Sequence, residues 1–339
     1  MTHLQFPVAL PGPPLVTNVG SPFRIGVPLD QGIRGRYDVH LDPYEVQPVV
    51  FQAGSQVVDW GVKLLKAQEV HAKTRGEKAA VFILDTAGQF DHPDLAANAL
   101  QQYAKNFSDA PTLEDKHGHG THCAGLAAAV DNDLGVLGMA PGAKLVPVKV
   151  LNDSGSGSWE GVANGIRYVA DLEVPFIKVI SMSLGGSGGN AILQSAVEYA
   201  LAKGCFIVAA AGNSGYRGKD TVGYPAKYPG VITVASIGNA GTPSSFSSGG
   251  PILLTQGVAA PGENNLSTHK GGEYVRMSGT SMATPHVAGA LAMILSAHPE
   301  ITTPKQMLEF LMKGAADLLD PGPDVRTGAG APVMTAYIV

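Results

Sequence analysis

Ser281 lies in Ser278-Gly279-Thr280-Ser281-Met282-Ala283-Thr284-Pro285-His286, directly ahead of an apolar run over residues 287–295. A hydroxyl at the mouth of a helix meets unpaired backbone N–H groups and the positive end of the helix dipole, which both favour developing negative charge. Pro285 has no N–H to donate, so it belongs in the first turn, with Ser281 at or beside the helix N-terminus. Such a serine is a nucleophile if a base and an orienting acid are brought to it, and otherwise an N-cap. The base is offered by Lys116-His117-Gly118-His119-Gly120-Thr121-His122-Cys123-Ala124-Gly125. Here His119 and His122 are three apart on an expected helix, a spacing a metal would also suit. No further Cys, His or Glu completes a familiar ligand set around them. An acid is offered by Asp85, which ends Val81-Phe82-Ile83-Leu84. A carboxylate at the end of a buried strand is costly without a partner, although an Asx-type turn is the simpler account of an isolated Asp. Asn213, after Ala209-Ala210-Ala211-Gly212, is either a turn residue or an amide that donates to an oxyanion.

The elements that must hold these residues alternate. Short apolar runs predict strands over 78–84, 144–151, 177–184, 205–211 and 231–237. Between them lie helical patterns over 119–130, 161–172 and 191–201, and another follows Ser281. The alternation predicts an α/β fold, a parallel central sheet with helices on both faces. Ligands of such sheets gather at the carboxyl ends of the strands, where Asp85, residues 183–185 and Asn213 all fall.

Composition narrows the function. With 45% hydrophobic and 15% charged residues, the 339-residue chain is globular, and 43 glycines with 24 prolines imply many tight turns. A net charge of -5 provides no basic footprint for nucleic acid. No apolar run approaches the roughly 20 residues that cross a membrane. Residues 1–14 lack the basic start and apolar core of a secretory signal. With only Cys123 and Cys205 present, the expectation is a reducing, cytoplasmic setting, or a secreted one if a signal peptide has been removed. Residues 1–54 carry eight prolines and no sustained helical periodicity, with short extended pieces such as 44–51. They are expected to form an N-terminal extension or pro-segment ahead of a domain over 55–339.

Each motif alone has an ordinary structural explanation. Together they resemble the subtilisin-like serine peptidases, from about Gln56 to the C-terminus. Leu84-Asp85-Thr86 with His92-Pro93-Asp94-Leu95 looks like that family's aspartate motif. Gly118 to Gly125 resembles its histidine motif, in the cysteine-containing version of proteinase K relatives. Gly279-Thr280-Ser281-Met282-Ala283-Thr284-Pro285-His286-Val287-Ala288-Gly289 matches its serine motif at every position. The chain order Asp, His, Ser is also that of subtilisin. One departure is Ala87-Gly88, where the family commonly has glycine directly after the Thr or Ser.

The resemblance implies a serine endopeptidase with a catalytic triad of Asp85, His119 and Ser281. Asn213 and the Ser281 N–H would form its oxyanion hole, and Cys123 would pack beneath His119. The other motif histidines, His92, His117, His122 and His286, would be structural. It further implies that substrate backbone pairs with Ser183-Leu184-Gly185 and Gly155-Ser156-Gly157. Ser183 to Gly185, Ala210, Gly212 and Gly223 would wall an open apolar pocket for Phe, Tyr, Leu or Met. Trp159 would stand at the rim of a neighbouring pocket. Val130-Asp131-Asn132-Asp133-Leu134-Gly135-Val136 resembles the family's calcium loop, so Ca2+ is the expected cofactor. Carbonyls of Val130, Leu134 and Val136, the Asn132 amide, Asp94 and Gln56 would supply the oxygens that calcium requires. The extension is similar in size to the short inhibitory segments of intracellular subtilisins, so it is expected to cross the groove until cut near 48–55. Two alternatives stay open. One is a non-hydrolytic peptide-binding relative; the other is an ester hydrolase, which would call for a Gly-x-Ser-x-Gly elbow that Ser281 lacks.

Overall fold

The computed structural model of the chain describes residues 16–18, 23–25, 37–41, 44–51 and 55–339. Most of the expected extension, and part of its expected cleavage region, lies outside the described residues. Seven parallel strands form the central sheet, in the order Gly257–Pro261, Ile232–Ile237, Phe206–Ala210, Ile177–Met182, Ala79–Asp85, Lys144–Lys149 and Lys105–Asn106. Every residue of Ala79–Asp85 is buried. Successive side chains leave a strand on opposite faces. Val81 and Ile83 therefore join the core that holds the helices His119–Ala128 and Thr280–Ala297. Ala80, Phe82 and Leu84 join the core of helices Trp159–Asp171 and Ala191–Ala202. Two covered faces explain why the strand reads as one apolar run rather than an alternation.

The helices start where their caps dictate. Ser158 Oγ accepts from Gly161 N at 3.1 Å, and Asn190 Oδ1 accepts from Leu193 N at 2.8 Å. The His119 helix is buried along its whole length, and its glycines let neighbouring backbone come close. A Cβ on Gly125 would lie 2.3 Å from both Ser267 Oγ and Thr268 Oγ1.

Two sequence expectations need correction. The Ser281 helix begins at Thr280, so Pro285 stands in its second turn, not its first. The N–H that proline lacks would have served the Ser281 carbonyl. That carbonyl instead accepts from the Ser183 hydroxyl at 2.8 Å and the Cys123 thiol at 3.5 Å. The His119 helix ends at Ala128, short of residue 130, and the next segment turns away to form the loop expected to bind calcium.

A second sheet packs against the His119 helix. Its Asn265–His269 and Glu273–Met277 strands form an antiparallel pair that sequence periodicity did not reveal. The Tyr44–Phe51 strand joins the free edge of that pair, and residues 16–18 and 23–25 pair with it in turn. Upstream, Val39–His40 pairs antiparallel with Ser156–Gly157.

Candidate active site

Asp85 ends its strand at the carboxyl edge of the sheet, and His119 opens the helix beside it. Asp85 Oδ1 accepts from the backbone N–H of Thr86 at 2.7 Å and from His119 Nδ1 at 2.8 Å. Both side chains are almost wholly buried. Burial by itself pulls the His119 imidazole down, but the Asp85 carboxylate outweighs it and holds His119 well above the ordinary value. Burial instead drives His117, His269 and His286 down to about 4. Among the buried histidines described, His119 alone is biased toward accepting a proton.

The Ser281 hydroxyl donates to the Ser183 carbonyl at 3.1 Å. Cys123 Sγ is 3.9 Å from His119 Nδ1 and also reaches the Ser281 carbonyl, so the thiol sits between base and nucleophile. Asn213 Oδ1 accepts from Thr280 N and from Thr280 Oγ1, both at 2.9 Å. With its oxygen held this way, the amide nitrogen is free to donate elsewhere. The other motif histidines bond to backbone carbonyls or to the extension. His122 Nε2 lies between the Asn265 and Val275 carbonyls, His286 Nδ1 meets that of Met282, and His92 Nε2 that of Glu273.

Sequence reasoning missed the residues that steady this arrangement. Asp115 Oδ1 accepts from Thr86 Oγ1 and from the N–H groups of His117 and Gly118, and its Oδ2 from Thr121 N and Oγ1. One carboxylate thus ties the start of the His119 helix to the residue after Asp85. An Asp shortly before a helix start is a recognisable signal for this role. Lys149, wholly buried, reaches the Thr86 and Glu114 carbonyls and Asp153 Oδ1, each at 2.9 Å. Gly118 is required as glycine. It adopts φ +96°, and a Cβ there would meet His269 Nε2 at 2.2 Å.

A cavity of about 490 Å³ opens beside Ser281 and Asn213, lined by Ser183, Leu184, Gly185, Ala210, Gly212 and Gly223. The expected pocket residues are thus brought together, but the lining is less apolar than expected. Asp220 and Lys227 also face the cavity and form a 2.9 Å ion pair. Gly155, Ser156 and Gly157 lie outside this cavity, with their backbone already engaged by the N-terminal segment. Asp38 N donates to the Gly157 carbonyl at 3.0 Å and Leu41 N to that of Gly155 at 2.9 Å, while His40 Nδ1 is 2.9 Å from Ser156 Oγ. Trp159, the residue expected at the rim of a neighbouring pocket, adjoins this same segment. Trp159 is buried, and its backbone N–H donates to the Asp38 carboxylate at 2.9 Å. Tyr44 packs its ring 5.6 Å from that of His119, with its hydroxyl 3.0 Å from His117 Nδ1.

The expected calcium residues also converge. The Val130 carbonyl, the Val136 carbonyl and Asn132 Oδ1 lie 2.7, 3.1 and 3.3 Å from the Gln56 amide nitrogen. Turning that amide over would add its own oxygen to the group. Asp94, wholly buried, is met by neutral donors, Asn132 Nδ2 at 3.2 Å and Val136 N at 2.8 Å. Burial raises its pKa. Leu134 belongs to the same loop, its N–H donating to Asn132 Oδ1 at 3.0 Å. A Cβ on Gly135 would reach within 2.3 Å of Asp94 Oδ2, so the chain turns here only as glycine, with φ +50°. Oxygen-only donors around a buried carboxylate fit calcium.

Comparison with known proteins agrees with this geometry. Residues 76–330 match the profile of the subtilase family. The thermostable alkaline protease of Halalkalibacterium halodurans is 44% identical over 249 residues, 73% of this chain and 65% of that protein, just under two thirds of its length. Subtilisin DY of Bacillus licheniformis is 42% identical over 78% of this chain and 94% of its own. Thermitase of Thermoactinomyces vulgaris is 45% identical over 70% and 82%. With the matched region spanning most of the chain and every strand of the central sheet, this chain belongs to the subtilase family of subtilisin-like serine endopeptidases.

Proposed function

We propose that this chain hydrolyses peptide bonds inside polypeptides through an acyl-enzyme on Ser281. The observation that carries the reading is the buried Asp85–His119 hydrogen bond, set beside a serine at a helix N-terminus. A serine hydroxyl is a weak nucleophile at neutral pH, so His119 takes its proton as Ser281 attacks the carbonyl carbon. Asp85 holds the imidazole in the tautomer with its proton on Nδ1 and stabilises the imidazolium that forms. The oxyanion is received by the Asn213 amide and the Ser281 N–H, aided by the helix dipole. His119 then gives its proton to the leaving amine, and water, activated by the same imidazole, releases the acyl group.

The residue before the scissile bond enters the cavity between residues 183–185, 210–212 and 223. Its small residues admit a large apolar side chain, while the paired Asp220 and Lys227 leave the pocket neutral. Gln56, Asp94, Val130, Asn132, Leu134 and Val136 would hold calcium, which would rigidify the loop they share. Residues 37–41 and Tyr44 act as the chain's own inhibitor. They hold the Gly155–Gly157 backbone that substrate needs, and Tyr44 covers the His117–His119 edge.

The test is hydrolysis of an Ala-Ala-Pro-Phe anilide by the full chain and by Ser281→Ala, each before and after a cut in the extension. Hydrolysis by the wild type alone, rising after the cut, is expected. A cut, folded wild type that leaves both the anilide and unfolded protein intact would overturn the reading in favour of a binding protein.

A further inference from the structure

We propose that the outer edge of the Glu273–Met277 strand binds the substrate beyond its scissile bond, taking an extended, unfolded polypeptide as an added antiparallel strand. The proposal rests on the reading that the N-terminal segment follows the substrate's path. One edge of Glu273–Met277 is paired along its full length with Asn265–His269, and Ser281 follows a few residues later. Among the described residues, the other edge is covered by the chain's own Tyr44–Phe51 strand. In that pairing Gln47 lies opposite Arg276, Pro48 opposite Val275 and Val49 opposite Tyr274.

Polarity makes this edge the leaving-group side. The chain runs from the Gly155–Gly157 backbone, on the side of the primary pocket, past His119 at Tyr44. It then moves along the edge away from Ser281, meeting Arg276 first and Tyr274 last. A substrate of the same polarity lays the residues before its scissile bond on Ser156–Gly157 and those after it against Arg276, Val275 and Tyr274. Once the extension leaves, this edge presents main-chain groups that only another strand satisfies. Recognition is therefore through backbone and favours an unfolded chain over a short peptide.

Two details define the occupant further. Val49 is almost wholly buried and belongs to the domain core, so the residue opposite Tyr274 is preferred apolar. Pro48 has no N–H to donate. Residues 44–46 pair with 23–25 and residues 49–51 with 16–18, leaving Pro48 outside both pairings. Successive residues of an antiparallel strand turn their N–H groups to opposite sides. Gln47 and Val49 are then the donors toward Glu273–Met277, and the position opposite Val275 needs none.

The test uses the full chain with a site-specific protease sequence inserted between Phe51 and Ser55, cut after folding and washed free of the released segment. Three substrates share Ala-Ala-Pro-Phe. One is the anilide, one continues for two residues, and one continues for the same two followed by the octapeptide of Tyr44–Phe51. The anilide is expected to be hydrolysed, and the long peptide to exceed the short one in kcat/KM by about tenfold or more, the worth of two main-chain bonds. N-methylation at the Gln47 or Val49 position should remove the gain, and proline to alanine at the Pro48 position should leave it. Equal kcat/KM for both lengths with the anilide hydrolysed overturns this proposal alone. An anilide left intact after the cut overturns the reading of the extension as the groove's occupant, and this proposal with it.

Discussion

His119 draws its chemistry from one neighbour, the Asp85 carboxylate 2.8 Å from Nδ1. Because that contact raises the folded imidazole's pKa, kcat/KM should climb with pH through a value above the ordinary 6.5 or so, as the base becomes free to accept a proton. The same pair contributes stability that is fully present below the unfolded imidazole's pKa and is lost as pH rises through the raised folded value. A pH–rate profile checks the first statement; Asp85→Asn should move its acid limb down and lower kcat by about 10⁴-fold. Asn213→Ala should lower kcat by about 10²–10³-fold with little change in KM, the effect known for the oxyanion asparagine of subtilisin itself. An unchanged kcat would remove Asn213 from that role. Cys123 touches both base and nucleophile, so mercurials small enough to enter should inhibit, and Cys123→Ser should abolish that sensitivity while activity persists.

At the scale of elements, the site depends on how the Asp85 strand and the His119 helix are joined. Asp115 makes that joint with five hydrogen bonds to Thr86 and to the first turn of the helix. Asp115→Ala leaves buried N–H groups unpaired and should cost about 3 kcal/mol or more. Thermal unfolding on a Ser281→Ala background, which avoids self-digestion, measures it. In the active background the same change should reduce kcat more than it changes KM, because it moves His119 relative to Asp85. The opposite split would assign Asp115 to the substrate groove instead.

At the scale of the whole molecule, the loop at 130–136 joins residues remote in sequence, Gln56 and Asp94 among them. A ligand that binds only the folded state stabilises by mass action, about 2.7 kcal/mol at a hundredfold excess over Kd. Chelation should therefore lower the melting temperature by roughly 4 °C. Asp94→Asn should lower it similarly and make it indifferent to chelator. A wild type whose melting temperature ignores both chelator and added calcium would refute the assignment.

Motif identity and strand–helix alternation suffice to nominate Asp85, His119, Ser281 and Asn213 for the proposed chemistry, because local residue types at fixed spacing carry the resemblance. The parallel sheet follows from the same local patterns, since buried strands read as unbroken apolar runs such as Val81 to Leu84. Other features depend on contacts between residues far apart in the chain, which no local pattern encodes. Pro285 is tolerated in a second helical turn because Ser183 and Cys123 serve the carbonyl it leaves free. The expected apolar pocket acquires an ion pair because Asp220 and Lys227 face into it. The Tyr44–Phe51 strand has an ordinary extended sequence. Its significance comes from its partner, the Glu273–Met277 edge beside Ser281, more than two hundred residues away.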